Sequence, residues 1–173
     1  MPKSSNEQIE KDKNKIILEL KKNSRQSPHE IARKLGFSRQ KVWKIIKELE
    51  KDHIIWGYTA VVDDMDRSIF FAASKLKKPI YQNIEKIIEN VQEDTESMLN
   101  IGLIGSFYIN GIYDWLVVFS AENILDAKKF CTHIQKQHEN YIDRIELMET
   151  IFPLIKFGKL NPNLDKLKEF TIA

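Results

Sequence analysis

The chain holds a single cysteine, Cys131, in 173 residues. That excludes an internal disulfide and any zinc site built on cysteine pairs. No apolar run is long enough to span a bilayer, and the opening MPKSSNEQIEKDKNK lacks the apolar core of a signal peptide. A cytoplasmic location without membrane attachment is therefore expected. Catalytic signatures are equally scarce. No Ser-His-Asp set, HExxH helix or phosphate-binding glycine loop is present. The acidic turn at Asp63, Asp64 and Asp66 has no bidentate glutamate or loop glycine at calcium-loop spacing, so neither metal nor cofactor is expected.

What is present is unevenly spread. Residues 1–55 carry 14 Lys and Arg against 8 Asp and Glu, whereas the remaining 118 residues carry 13 against 17. A basic front and a mildly acidic remainder suggest polyanion contact in the first part and a different task in the second. The front resolves into helices. Gln8 to Lys22 places Ile9, Ile16, Ile17 and Leu20 on one stripe, with Asp12 set to meet the positive end of that helix's dipole. Ser27, Pro28 and Glu30 form a capping box for a second helix with Ile31, Ala32 and Leu35 inward, and Gly36 suits the left-handed residue that ends it. Ser38 caps a third helix whose Val42, Ile45, Ile46 and Leu49 fall at core spacing. Its other side presents Arg39, Gln40, Trp43, Lys44 and Lys47, a basic, long-armed face free of acid.

Two short helices with such a face form a helix-turn-helix whose second helix enters the major groove. Arg39, Gln40 and Lys44 have arms suited to base edges, Lys41 and Lys47 to phosphate, and Ser27 and Ser38 are caps whose helix N-termini offer N–H groups to phosphate. Trp43 has two readings: contact with a thymine methyl or sugar, or packing back on the first helix, the second being slightly favoured. His53 is expected to take a left-handed conformation where the third helix closes. Ile54–Trp56 and Tyr58–Val62 then read as short strands, giving a winged or strand-extended unit.

Beyond the acidic stretch the pattern alternates. A strand over Ile69–Leu76, a helix over Tyr81–Glu93, and strands Ile101–Ile109 and Ile112–Ser120 about an Asn110-Gly111 type I′ turn are predicted. A helix capped by Asn123, with Ile124, Ala127, Phe130, Cys131 and Ile134 inward, and a strand Ile142–Ile155 complete a ferredoxin-like βαββαβ order. The fold class is α+β. The expected divisions are 1–62 for the DNA-binding domain with its hinge strand, 63–68 for a linker, 69–156 for the ferredoxin-like domain and 157–173 for a tail with a short amphipathic helix. One sheet face lies uncovered, and a homodimer through it is the default expectation.

An ordered set of motifs spans the first fifty residues: Asp12, Asn23-Ser24-Arg25, Ser27, Glu30-Ile31-Ala32, Leu35-Gly36-Phe37-Ser38, Val42, Lys44-Ile45 and Leu49-Glu50, followed by Ile54–Asp63. In that set the chain resembles the leucine-responsive regulatory protein family, the Lrp/AsnC or feast/famine regulators. Asn110-Gly111-Ile112-Tyr113-Asp114 resembles the turn that lines the family's effector site. The resemblance implies a DNA-binding transcriptional regulator that is dimeric or of higher order (tetramer or octamer), modulated by an amino acid or similar small effector at Gly111, Tyr113 and Asp114. The alternative is an enzyme of the same architecture, a siroheme decarboxylase-like subunit. Three features depart from the family pattern: His53 in place of glycine, the long connection from Gln92 to Asn100, and the extended tail.

Overall fold

The computed structural model describes residues 6–63, 66–77, 89, 93 and 100–169. The chain divides into two compact units, Met1–Ala60 and Val61–Ala173. The helix expected over Tyr81–Glu93 lies outside the described residues except for Glu89 and Glu93, both helical.

The first unit is three helices: α1 (Asn6–Lys22), α2 (Pro28–Leu35) and α3 (Arg39–Lys51). Their apolar stripes meet in one small core of Ile16, Ile31, Ala32, Val42, Ile45 and Leu49, edged by Ile17, Leu20, Leu35, Phe37, Ile46 and Ile55. Ile9 stays outside it. Asp12 departs from its expected role. It is buried and bound to α3 rather than set at the helix end, because α1 begins at Asn6, nearly two turns earlier.

The end of α3 follows the expectation. His53 adopts φ +54°. Its N–H donates to the Glu50 carbonyl at 3.2 Å, and the Ile54 N–H donates to the Leu49 carbonyl at 2.9 Å, the paired bonds of a Schellman closure. The strands expected in 54–62 do not form. Residues 55–63 carry no regular structure, and a strand needs a neighbour that the described residues do not give this segment.

The second unit is a four-stranded antiparallel sheet of β1 (Ser68–Leu76), β2 (Ile101–Tyr108), β3 (Trp115–Ala121) and β4 (Ile142–Glu149), in the order β2-β3-β1-β4. Helix α4 (Ile124–Gln137) covers one face. Asn123 caps it as predicted, its side-chain oxygen accepting from the Asp126 N–H at 3.0 Å. Ala127, Phe130, Cys131 and Ile134 point inward onto Phe70, Ala72, Val117 and Phe119, whereas Ile124 is exposed. Phe119 is the hub, stacked on Phe70 at 5.6 Å and edge-on to Phe130 at 4.7 Å between ring centroids. Burial pushes the Cys131 thiol up to about 11 and leaves it a core residue. Where β2 passes β3, a Cβ on Gly102 would sit 2.6 Å from Ser120 Oγ, so a larger residue there would displace that hydroxyl from its bond with Arg67.

Two turns differ from expectation. Tyr108 pairs with Trp115, so β2 and β3 are joined by a six-residue loop, 109–114, and not by a two-residue turn at Asn110-Gly111. Gly111 does not have the positive φ that a type I′ turn requires. The predicted strand Ile142–Ile155 instead stops at Glu149 and gives way to a hairpin of β5 (Ile155–Lys156) and β6 (Lys159–Leu160). Its central residues, Phe157 at φ +48° and Gly158 at φ +74°, supply the two left-handed positions of a type I′ turn. A 3-10 helix, Leu164–Glu169, follows with no buried residue.

Candidate nucleic-acid interface

The geometry of the interface begins with the caps. Ser27 Oγ accepts from the Glu30 N–H at 3.3 Å, and Glu30 Oε2 accepts from the Ser27 N–H at 2.7 Å, which closes the capping box. That backbone donor, with the Ser27 hydroxyl, holds the Glu30 carboxyl below its ordinary range. Gly36 at φ +68° ends α2, and Ser38 Oγ accepts from the Lys41 N–H at 3.2 Å to start α3. Two helices are thus stopped and started within three residues, which fixes the angle of the turn.

Core spacing on α3 then dictates its outer face. With Val42, Ile45 and Leu49 buried, Arg39, Gln40, Trp43, Lys44 and Lys47 are exposed. Arg39 and Gln40 have no hydrogen-bond or ion-pair partner among the described residues. Lys44 lies 3.9 Å from Glu48 and Lys47 lies 2.8 Å from Glu50, both at the surface. Such exposed pairs contribute less than about 1 kcal/mol and exchange readily for a stronger anion. Trp43 is 55% exposed and does not pack into the helical core, contrary to the expectation that it turns back.

Lys41 differs from its neighbours. Its ammonium sits 2.5 Å from Asp12 Oδ2 and 4.3 Å from the centroid of the Phe37 ring. Lys41 foremost, with Gln8, holds the Asp12 carboxyl below the usual range against the opposing effect of burial. The charge expected to meet phosphate is thus already engaged by a buried carboxylate 29 positions away. Sequence spacing alone does not bring Asp12 and Lys41 together. The signal available was an acid on α1 one helical turn before the core residue Ile16. Ser27 and Ser38 stand at the two helix N-termini with their side-chain oxygens committed to capping.

In the second unit, the residues of the 109–114 loop are brought to the end of β1. Asp114 accepts from the Leu76 N–H at 2.9 Å and pairs with Lys75 at 2.9 Å, and these two hold its carboxyl below the usual range. The Tyr113 hydroxyl donates to Glu146, which raises its pKa, and Arg144 lies 5.9 Å from the ring centroid. Gly111 is exposed with nothing within 4 Å of a Cβ placed on it. Among the histidines, His138 is buried at the end of α4 with its ring edge-on to Trp115, while His133 is half-buried one turn earlier. Among the described residues no group of three or more His, Cys, Asp and Glu could hold a metal ion. No described helix is long and apolar enough to cross a membrane.

Comparison with known proteins agrees with this layout. Residues 13–55 match a family model described as winged helix-turn-helix DNA-binding. No curated protein sequence matches the chain. Among solved structures, the chain is similar to LrpC of B. subtilis at 22% identity and TM-score 0.60, covering 90% of this chain and 99% of that one. It is similar to an AsnC family transcriptional regulator from Agrobacterium tumefaciens at 18% identity and TM-score 0.66, covering 88% and 96%. A transcriptional regulator from Neisseria meningitidis, solved in complex with L-Met, matches at 15% identity and TM-score 0.63, covering 88% and 96%. The chain therefore joins a helix-turn-helix segment to a four-stranded α+β domain in the fold shared by AsnC- and Lrp-type transcriptional regulators.

Proposed function

We propose that the chain is a sequence-specific, DNA-binding transcriptional regulator and not an enzyme. The observation that carries this reading is the outer face of α3. Arg39, Gln40 and Trp43 sit at the N-terminal half of a helix that a helix-turn-helix presents to the major groove, and none is tied to another described residue. Lys44 and Lys47 flank them, Lys44 within reach of base edge and phosphate and Lys47 of phosphate. Lys41 is better suited to holding α3 against α1 than to touching DNA.

The reading includes a homodimer, and it draws support from the sheet face opposite α4. Register places Phe107, Leu116, Val118, Phe71 and Met148 there as an apolar patch across all four strands. Two copies joined through it would carry two reading helices to a partly palindromic site. The amino-acid effector is a finer part of the proposal. The Neisseria relative is complexed with L-Met. In this chain the proposed contacts remain Gly111, Tyr113 and Asp114, with the Asp114 carboxylate already oriented by the Leu76 N–H and Lys75.

The test is selection of duplexes from a random library by the full chain, with and without a pool of amino acids, followed by gel-shift titration of the enriched site. Lys44→Ala should weaken binding across sequences and reduce the slope of log K against log salt by about 1. Unchanged binding and slope would remove α3 from the groove.

A further inference from the structure

We propose that Trp43 is a specificity-determining residue that takes the 5-methyl group of thymine in the major groove. The proposal rests on the DNA-binding reading above and goes beyond it by naming what one side chain reads. Trp43 is 55% exposed on α3 while the same helix has a complete apolar stripe in Val42, Ile45 and Leu49. The helical core therefore has no use for the indole. No hydrogen bond or ring contact holds it among the described residues.

Its neighbours on the helix surface define the ligand. Gln40 precedes it by three residues, Arg39 by four, and Lys47 follows by four, while Ile46, three residues on, packs against the helical core. A large apolar surface ringed by two cations and an amide suits a polyanion that also shows an apolar edge. In the major groove the thymine methyl is the apolar feature on the base edges, and aromatic side chains make that contact. Around the helix axis Trp43 lies between Arg39 on one side and Lys47, Gln40 and Lys44 on the other. A contact there can be made while the flanking arms reach guanine, adenine or phosphate.

The probe is the duplex most enriched by the full chain, with each thymine replaced in turn by deoxyuridine, which keeps the pairing and removes only the methyl. Losing one buried methyl should lower affinity about fourfold at the contacted position. Trp43→Ala should bind the parent and the deoxyuridine duplexes alike there, with the salt slope of the wild type, since an indole neutralises no phosphate. Trp43→Phe should keep a reduced preference for thymine. The proposal is overturned if no deoxyuridine substitution weakens the wild-type chain, or if the same loss persists in Trp43→Ala. Tighter binding to the single strand than to the duplex also overturns it, because the indole would then be stacking on an unpaired base. If no duplex is enriched at all, the DNA-binding reading itself falls and this proposal falls with it.

Discussion

The two units leave opposite kinds of surface unsatisfied. The helical unit buries its apolar stripes and leaves hydrogen-bond donors open on α3, whereas the sheet unit pairs its charges and leaves an apolar stripe open opposite α4. In the first, Arg39 and Gln40 have no partner among the described residues. In the second, Asp114, Lys75, Tyr113 and Glu146 have found one another, while Phe107 and Met148 stay exposed. Unused donors call for an anion, and unused apolar area calls for another apolar face. On the proposed reading, the first surface serves nucleic acid and the second a further copy of the chain.

The largest effect is expected at Phe119. Phe119→Ala removes the ring that joins Phe70 and Phe130 and should cost about 3–5 kcal/mol in the sheet unit. Denaturant unfolding followed by Trp115 fluorescence would measure the loss. Helical circular dichroism from the first unit should keep its own transition if the two units fold separately. A single shared shift would show them to be one cooperative block. Next in size, Phe107→Lys together with Met148→Lys places two charges on the apolar stripe. It should weaken self-association at least about tenfold, since burying an unpaired charge is costly. Analytical ultracentrifugation checks this, and an unchanged association constant would move the dimer off the sheet.

Within the helical unit, Asp12→Asn should destabilise by about 1–3 kcal/mol, between the loss for an exposed pair and that for a fully buried one because Lys41 is partly exposed. The sign with pH follows from the depressed carboxyl. Its contribution is fully present above the ordinary aspartate range and is lost as pH falls through the lower folded-state value. Wild type and Asp12→Asn should therefore converge in stability at acid pH, and parallel curves in a pH series of thermal melts would contradict the ion pair. The smallest effect is expected at His53. Replacing it by glycine relieves a non-glycine residue at φ +54° and should stabilise by roughly 0.5–1 kcal/mol in the same melts.

Local signals in the sequence were legible where one stretch of chain decides its own structure. Ser27 with Glu30, Gly36, Ser38, Asn123 and the left-handed His53 all stand where their chemistry placed them. Features that depend on distant partners were not legible. Asp12 suits a dipole when only α1 is considered, and becomes an anchor only once α3 is packed beside it. Ile54–Val62 has strand composition, yet a strand requires a neighbour to receive its hydrogen bonds. The turns show the same limit from the other side. Asn110-Gly111 has the composition of a type I′ turn but spans a six-residue loop whose register is set by Trp115 and Asp114. Phe157-Gly158, which carries the turn, is obscured because phenylalanine disfavours positive φ. At the reading face, core spacing on α3 showed which side chains point outward. It did not show that Lys41 would be drawn back by Asp12, or that Trp43 would stay out.

The three tryptophans fall in three environments, which makes the chain its own fluorescent reporter. Trp115 is 3% exposed with its indole N–H donating to Ser106, Trp43 is 55% exposed on α3, and Trp56 is 94% exposed beyond it. Emission from Trp115 should be blue-shifted and shielded from iodide, while the other two emit at longer wavelength and quench freely. A ligand that covers α3 removes only the Trp43 share of that quenching. Loss of the sheet core instead moves the shielded band to the red, so occupancy and unfolding can be read from one sample without a label.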